Sequence, residues 1–330
     1  MIIDLQVLHT GTDNIFSATG EKIVISPRRF KDIADDNEGV SQNTYNNLIN
    51  LLKHNELYVA PFCDSALIYR HLQHANYSGH QILQHKNLHW YTDGYLQTEV
   101  FQNCNQDYAL SNNFIAEFSG TIIQPEQPSY NQSRYVCMMN NKRDHRDHLL
   151  LNLSHRKLMD KGDVVYHERS FDVPGVIKFP LFEDTRELEG ETYHGHITDT
   201  PMYKAVMIEL VSEAYIDNII FITEKTIRPM CVGIPAIYVA GQGYVQKLRD
   251  LGFEVYDHVI DHSYDNEADD WIRINKVCKE LQHILALYTP EQFYKATVDN
   301  TLHNQRLLKN KYLNKEKDAF LKSWIKDVVN

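Results

Sequence analysis

The chain has 330 residues, 43% of them hydrophobic, which is enough to bury ordinary cores, and its length favours two domains over one. Its net charge of −11 argues against a large nucleic-acid footprint, which needs many cations to neutralise phosphates, although a local basic patch stays compatible with it. No apolar run reaches the roughly 18 residues that a bilayer span requires, so no transmembrane segment is expected.

The first residues, MIIDLQVLHTG, carry Asp4 inside an apolar stretch and no basic leader, and so read as a first strand and not a signal peptide. Further short apolar runs lie at 22–25, 57–61 and 115–123. Asn43–His54 predicts a helix with Leu48, Leu51 and Leu52 on one face. Five widely spaced cysteines (Cys63, Cys104, Cys137, Cys231, Cys278) show no zinc pattern. They read as free buried thiols in a reducing compartment, which implies a cytoplasmic protein.

The clearest boundary is Thr121–Arg134, where prolines and polar residues interrupt the periodicity. It divides the chain into 1–128, 129–290 and a charged helical tail, 291–330, expected to pack back over the interface of the other two. Beyond the boundary the rhythm is regular. Tyr135–Met139 predicts a strand, His145–Lys161 a helix stopped by Gly162, and Asp163–His167 a strand. Tyr203–Val211 fits helix or strand. Then come strand Asn218–Ile222, helix Glu224–Cys231, strand Pro235–Val239, helix Gln242–Leu251, strand Phe253–Tyr256 and a long helix, Asn266–Leu287, with Trp271 on its apolar stripe. Alternation of this kind predicts an α/β fold whose C-terminal domain is doubly wound around a mostly parallel sheet.

Three constellations could carry chemistry. Thr223-Glu224-Lys225 follows a strand and opens a helix. In a doubly wound sheet ligands collect outside the carboxyl ends of strands, where a carboxylate can accept ribose hydroxyls and a lysine can neutralise a diphosphate. The same residues also make an ordinary helix start, with Thr223 as N-cap and Glu224 favourable to the dipole. Asn140-Asn141-Lys142-Arg143-Asp144-His145-Arg146 forms a basic strand-to-helix turn: an anion site, or a solvated turn balanced by Asp144 and Asp147. Asp261-His262-Ser263-Tyr264-Asp265 precedes the long helix. Here a start signal, with Ser263 or Asp265 as cap and Glu267, Asp269 and Asp270 in the first turn, is the better reading than an acidic metal site. The histidine pairs His71/His74 and His145/His148 lack a third ligand at a convincing offset, so no metal is expected.

Residues 133–285 resemble the donor-binding domain of the fucosyltransferase-like glycosyltransferases, in which a strand leads into a Tyr-Val-Thr-Glu-Lys motif, a helix and a Gly-x-x-Pro-type break. This chain has Phe221-Ile222-Thr223-Glu224-Lys225, then Gly233-Ile234-Pro235. Asn140 and Arg146 stand where the family has an asparagine turn and a helix-opening arginine, with Leu153 seven residues after the arginine. Ser263-Tyr264-Asp265 is similar to a run in related bacterial and viral sequences. The resemblance implies a GT-B-like architecture of two Rossmann-like domains. It also implies inverting, metal-independent transfer from a nucleoside-diphosphate sugar to a glycan or other hydroxyl acceptor, with no further cofactor. Glu224 would bind the ribose and Lys225 and Arg146 the diphosphate, with Asn140, Arg143, Thr223 and Tyr264 also lining the donor site. Phe221 replaces the tyrosine that meets the base, and His262 stands where an acidic residue is common. The first domain would bind the acceptor and supply the catalytic base. Asp64, after the run Ala60-Pro61-Phe62-Cys63, is the first candidate and Asp93 in Trp90-Tyr91-Thr92-Asp93-Gly94 the second; both are also ordinary turn residues. Two other readings stay open: a viral DNA-base glycosyltransferase of the hydroxymethylcytosine type, which the acidic charge disfavours, and a non-catalytic sugar-nucleotide-binding protein.

Overall fold

The computed structural model describes residues 22–25, 42–59, 84–91, 95–96, 104–105, 122, 124–126, 134–139, 142–166, 173–177, 206–216 and 219–313. The chain forms two compact units, one of residues 1–113 with 315–330 and one of residues 114–314.

In the first unit, β1 (Lys22–Ile25), β2 (Glu56–Val59), β3 (Leu88–Tyr91) and β5 (Cys104–Asn105) pair in that order as a parallel sheet, while β4 (Tyr95–Leu96) lies between β3 and β5 in sequence. Helix α1 (Gln42–His54) precedes β2 and buries Leu51 and Leu52. Lys53 and His54 in its last turn suit the negative end of the helix dipole. The amides of Asn55 and Asn87 cover the terminal carbonyls of Leu51 and Leu52 at 2.9 and 2.8 Å.

The second unit holds β6 (Tyr135–Met139), α2 (Asp144–His155), β7 (Gly162–Tyr166), β8 (Val176–Ile177), β9 (Ile208–Ser212), β10 (Ile219–Ile220), α3 (Glu224–Val232), β11 (Ala236–Val239), α4 (Tyr244–Asp250), α5 (Asp270–Leu287) and α6 (Pro290–Leu307). Its five-stranded sheet runs β11-β9-β6-β7-β8, and every pair in it is parallel. Strands β6, β9 and β11 are buried along their whole length, as strands in a sheet covered on both faces are; β6 and β11 are near-continuous apolar runs, while β9 carries Glu209 and Ser212. The chain steps outward from β6 through β7 to β8, then returns to the other side of β6 for β9 and β11. Strand order therefore reverses between β6 and β9, and that is where an open parallel sheet leaves a crevice at its carboxyl edge.

Several boundaries differ from expectation for identifiable reasons. The ambiguous segment around 203–211 is strand β9. Helix α2 stops at Arg156, where Lys157 takes φ 55° and the Leu158 N–H reaches back to Leu153 O at 2.9 Å. Gly162 therefore opens β7 instead of stopping the helix, and a Cβ there would lie 2.3 Å from the Tyr135 ring. Phe253–Tyr256 is no strand: the Glu254 N–H and C=O, which a ladder would use, bond the Asn304 side chain of α6 at 2.8 Å each. The long helix begins at Asp270, capped by Asp269, because Ser263–Asn266 forms a 3₁₀ turn first. Asp265 instead caps α4, accepting from the N–H groups of Val245 and Gln246 at 2.9 Å. Trp271 stays 45% exposed, since it sits in the first turn of α5 and meets His148 of α2 edge-on, with ring centroids 4.7 Å apart. The free thiols of Cys137, Cys231 and Cys278 are buried, and burial raises the Cys278 thiol to about 12. Among the described residues no helix is long and apolar enough to cross a membrane.

Candidate functional site

The carboxyl edge of β9 is the centre of a polar cluster. Glu213, the residue after β9, is fully buried, and its carboxylate accepts five hydrogen bonds. Oε1 takes the Thr223 N–H (3.2 Å), the Thr226 hydroxyl (2.7 Å) and the Tyr244 hydroxyl (2.8 Å). Oε2 takes the Thr223 hydroxyl (2.6 Å) and the Ala214 N–H (3.3 Å). The Thr226 and Tyr244 oxygens are themselves 2.7 Å apart, so two hydroxyl hydrogens are shared among three contacts. A buried carboxylate needs such donors to offset lost hydration. Burial first, and then the Glu213 charge, hold the Tyr244 phenol well above its ordinary pKa, so it remains a donor.

Thr223 links this buried carboxylate to the helix that faces the crevice. It is the N-cap of α3, and its hydroxyl accepts the Lys225 N–H at 3.3 Å. The Lys225 ammonium lies 3.4 Å from the same oxygen and 2.5 Å from Glu224 Oε1. These two side chains are 17% and 14% exposed, partly open to solvent, whereas Thr223, Thr226 and Glu213 are buried. The first turn of α3 adds the positive end of its dipole. At the other end, Gly233 takes φ +77°, and a Cβ there would meet Pro125 and the Gln305 amide at about 3 Å.

The β6-to-α2 connection reaches the same edge. Arg146, 3% exposed, places its guanidinium 3.5 Å from the carbonyl oxygens of both Ser212 and Glu213, and His145 Nε2 donates to Glu213 O at 3.0 Å. Burial lowers the Arg146 pKa; Arg143 adds to this, while Tyr166 and Glu213 oppose it. The Arg143 guanidinium lies over the Tyr215 ring at 5.7 Å, and that ring packs on Phe221 at 6.1 Å. The Tyr166 hydroxyl bridges the Arg143 backbone, and burial raises it to about 12.

Arg143, Arg146, Phe221, Thr223, Glu224 and Lys225 thus gather around one strand end. Tyr264 does not join them. It is 2% exposed, its hydroxyl lies 2.7 Å from His262 Nδ1, and it packs as a core residue where a ligand contact was expected. Asp64, Asp93 and Asn140 lie outside the described residues. Sequence reading missed Glu213; the available signal was a pair of acids four apart, Glu209 inside a largely apolar run and Glu213 just after it. Glu209 is fully buried and pairs with Arg228 of α3, fixing that helix on β9. His145 and His148 point to different partners, Glu213 O and Trp271, and among the described residues no group of His, Cys, Asp and Glu could hold a metal ion.

A separate cleft of about 590 Å³ opens beside α5, lined among others by Asp257, Asp261, Glu280 and His283. Its carboxylates serve local structure: Asp257 pairs with Arg249 at 2.6 Å, Asp261 receives the Ser263 N–H at 2.8 Å, and Glu280 receives the Asp261 N–H at 3.0 Å.

No protein-family model and no curated protein matches the chain. Similar solved structures include an S. aureus TarM mutant in complex with fondaparinux, alpha-GlcNAc-glycerol and UDP, at 11% identity and TM-score 0.41, covering 93% of this chain and 55% of that one. A second TarM structure matches at 12% identity and TM-score 0.41, covering 94% and 55%, and a GtfA/B complex at 12% and 0.36, covering 94% and 57%. This chain spans little more than half the length of each, and likeness at this level carries no argument about activity. The described elements define an α/β protein. Its second unit carries an open parallel sheet, with Arg146 and the Thr223–Lys225 turn both meeting Glu213 beside the point where strand order reverses.

Proposed function

We propose that the protein is a glycosyltransferase that moves a sugar from a nucleoside-diphosphate sugar to an acceptor hydroxyl. The observation that carries this reading is the meeting of Arg146 and the Thr223–Lys225 turn on one residue, Glu213, at the reversal of strand order. Two cations from separate segments share a sheet edge, backed by the N-terminus of α3, and such an edge suits a diphosphate.

In this reading the architecture is GT-B-like, with two Rossmann-like domains, and residues 129–290 hold the donor. Lys225 contacts the diphosphate directly, because its side chain is the more open of the two. Arg146 supplies charge from beneath, Glu224 accepts ribose hydroxyls, and Phe221 with Arg143 and Tyr215 flanks the base. Asn140 completes the turn after β6. The acceptor oxygen attacks the anomeric carbon on the face opposite the leaving group, so the product is inverted. The bond from that carbon to the diphosphate oxygen breaks, and the charge growing on the diphosphate falls to Lys225 and Arg146 without a metal. Electrostatic stabilisation of this kind typically supplies several kcal/mol. A base from residues 1–128, Asp64 before Asp93, takes the acceptor proton. The acceptor is a glycan or another hydroxyl compound.

A panel of UDP-, GDP- and dTDP-sugars, read by thermal shift and by release of nucleoside diphosphate with and without acceptor, tests the reading. One donor class should raise the melting temperature and be turned over. At about 100 times its Kd it should add roughly 2.7 kcal/mol of stability. No stabilisation by any member would overturn the donor site, and stabilisation without diphosphate release would leave a binding protein.

A further inference from the structure

We propose that Glu213 is a positioning residue for the donor's diphosphate, acting through the Thr223 hydroxyl on the Lys225 ammonium; this rests on the glycosyltransferase reading of the site. The Thr223 hydroxyl has one hydrogen and two lone pairs. Its hydrogen is committed to Glu213 Oε2, the shortest of the five contacts to that carboxylate at 2.6 Å. Both lone pairs are therefore turned outward, toward the Lys225 N–H at 3.3 Å and the Lys225 ammonium at 3.4 Å. Glu213 also receives the Thr223 N–H at 3.2 Å, so the carboxylate grips the N-cap by backbone and side chain together. Its other oxygen, Oε1, is held as well by Thr226 and Tyr244, which are fully buried on the inner side and contact neither Glu224 nor Lys225 through these bonds. The result is a one-way relay in which a buried charge sets a hydroxyl and the hydroxyl sets a partly buried cation.

Replacing Glu213 by glutamine keeps the shape but substitutes an NH₂ donor for one carboxylate oxygen. With the amide nitrogen at the Oε2 position, the Thr223 oxygen must accept, its hydrogen swings outward, and it opposes the ammonium it formerly held. Hydrogen bonds made only for packing would show up in stability alone, which allows the two roles to be separated.

The experiment measures the Kd of inorganic pyrophosphate, and of whichever of UDP or GDP the wild type binds, by calorimetry well below the melting temperature. Glu213→Gln and Thr223→Val should each weaken both ligands at least tenfold, and Thr223→Ser should restore binding to within about twofold. Thr226→Val and Tyr244→Phe, which remove donors to the same carboxylate on its inner side, should lower the melting temperature and leave both Kd values within about twofold. If Glu213→Gln loses melting temperature but binds like the wild type, the relay is overturned while the glycosyltransferase reading survives. If the inner-side variants lose binding as much as Thr223→Val does, the directional relay is overturned in favour of general packing. If the wild type binds none of the probes, the diphosphate site and the relay fall together.

Discussion

Lys225→Met tests the cradle with the least collateral change, because methionine keeps most of the apolar stem and a good helix former at the start of α3. The ammonium stands 2.5 Å from Glu224 and 3.4 Å from the Thr223 hydroxyl, in a site where the two charged side chains are 17% and 14% exposed. A unit charge about 4 Å away at an effective dielectric constant near 20 is worth about 4 kcal/mol, and part of that is already spent on Glu224. The net value of a hydrogen bond to a charged group, about 1.5–3 kcal/mol, is the better expectation for what the substitution removes. That range corresponds to a loss of roughly 10- to 150-fold in kcat/KM. The assay is release of nucleoside diphosphate from the donor that stabilises the wild type, with kcat and KM measured separately. If the ammonium meets charge that grows as the bond breaks, kcat carries most of the loss. The melting temperature should hardly move, since an ion pair between neighbouring, partly exposed residues contributes at most about 1 kcal/mol. A kcat/KM within twofold of the wild type would refute the assignment of Lys225 to the leaving group.

Other consequences concern stability. Arg228→Ala removes the buried cation that pairs with the Glu209 carboxylate and should cost about 3–5 kcal/mol in urea unfolding, whereas Arg228→Met combined with Glu209→Leu should recover most of that loss. Gly162→Ala places a Cβ 2.3 Å from the Tyr135 ring and 2.5 Å from its carbonyl oxygen, so β6 and β7 must part, at a cost of about 1–3 kcal/mol or more seen as a lower unfolding midpoint. His262 is buried, and its Nε2 bonds Val255 O at 2.6 Å. Burial, acting first, holds its pKa below the ordinary 6.5, against the bond to Val255 and the charges of Asp257 and Asp265. The unfolded chain then takes up a proton at higher pH than the folded one, so the contribution is whole above pH 6.5 and drains away as pH falls below it toward the folded value. Thermal melts at about pH 8 and pH 5.5 should show a larger drop for the wild type than for His262→Asn.

How far the sequence reveals this protein depends on the reach of each interaction. Strands β6 and β11 are legible because they are short, apolar runs, whereas β9, which carries Glu209 and Ser212, fits helix or strand equally by pattern; the Thr223 cap is legible because its partner is two residues away. Glu213 was illegible as a hub because its partners stand 10, 13 and 31 residues further on, in α3 and α4, and only the fold collects them. Asp265 misled for the same reason. It has the chemistry of a cap for the next helix, yet the N–H groups it satisfies are 19 and 20 residues back. Phe253–Tyr256 has strand composition, but a side chain 50 residues away takes its backbone bonds. The resemblance placed Tyr264 beside a ligand, and burial places it in the core.

The same distinction explains why the cradle is where it is. Leaving β6, the chain turns at Arg143–Arg146 and moves away toward β7; leaving β9, it turns at Ser212–Glu213 and moves the opposite way toward β11. The two turns are neighbours across the sheet, and Arg146, His145 and Glu213 meet there, buried, at the carboxyl edge. Polar groups stranded there must be paired by the protein or by something that binds. Arg146 and His145 satisfy the backbone carbonyls, Glu213 satisfies the helix cap, and Lys225 and Glu224 are left at the opening with each other as close partners. A ligand with hydroxyls for Glu224 and anionic oxygens for Lys225 would therefore separate a weak, partly open pair into two stronger ones. Helix α3 would not have to move, since Glu213 and Arg228 hold it from below.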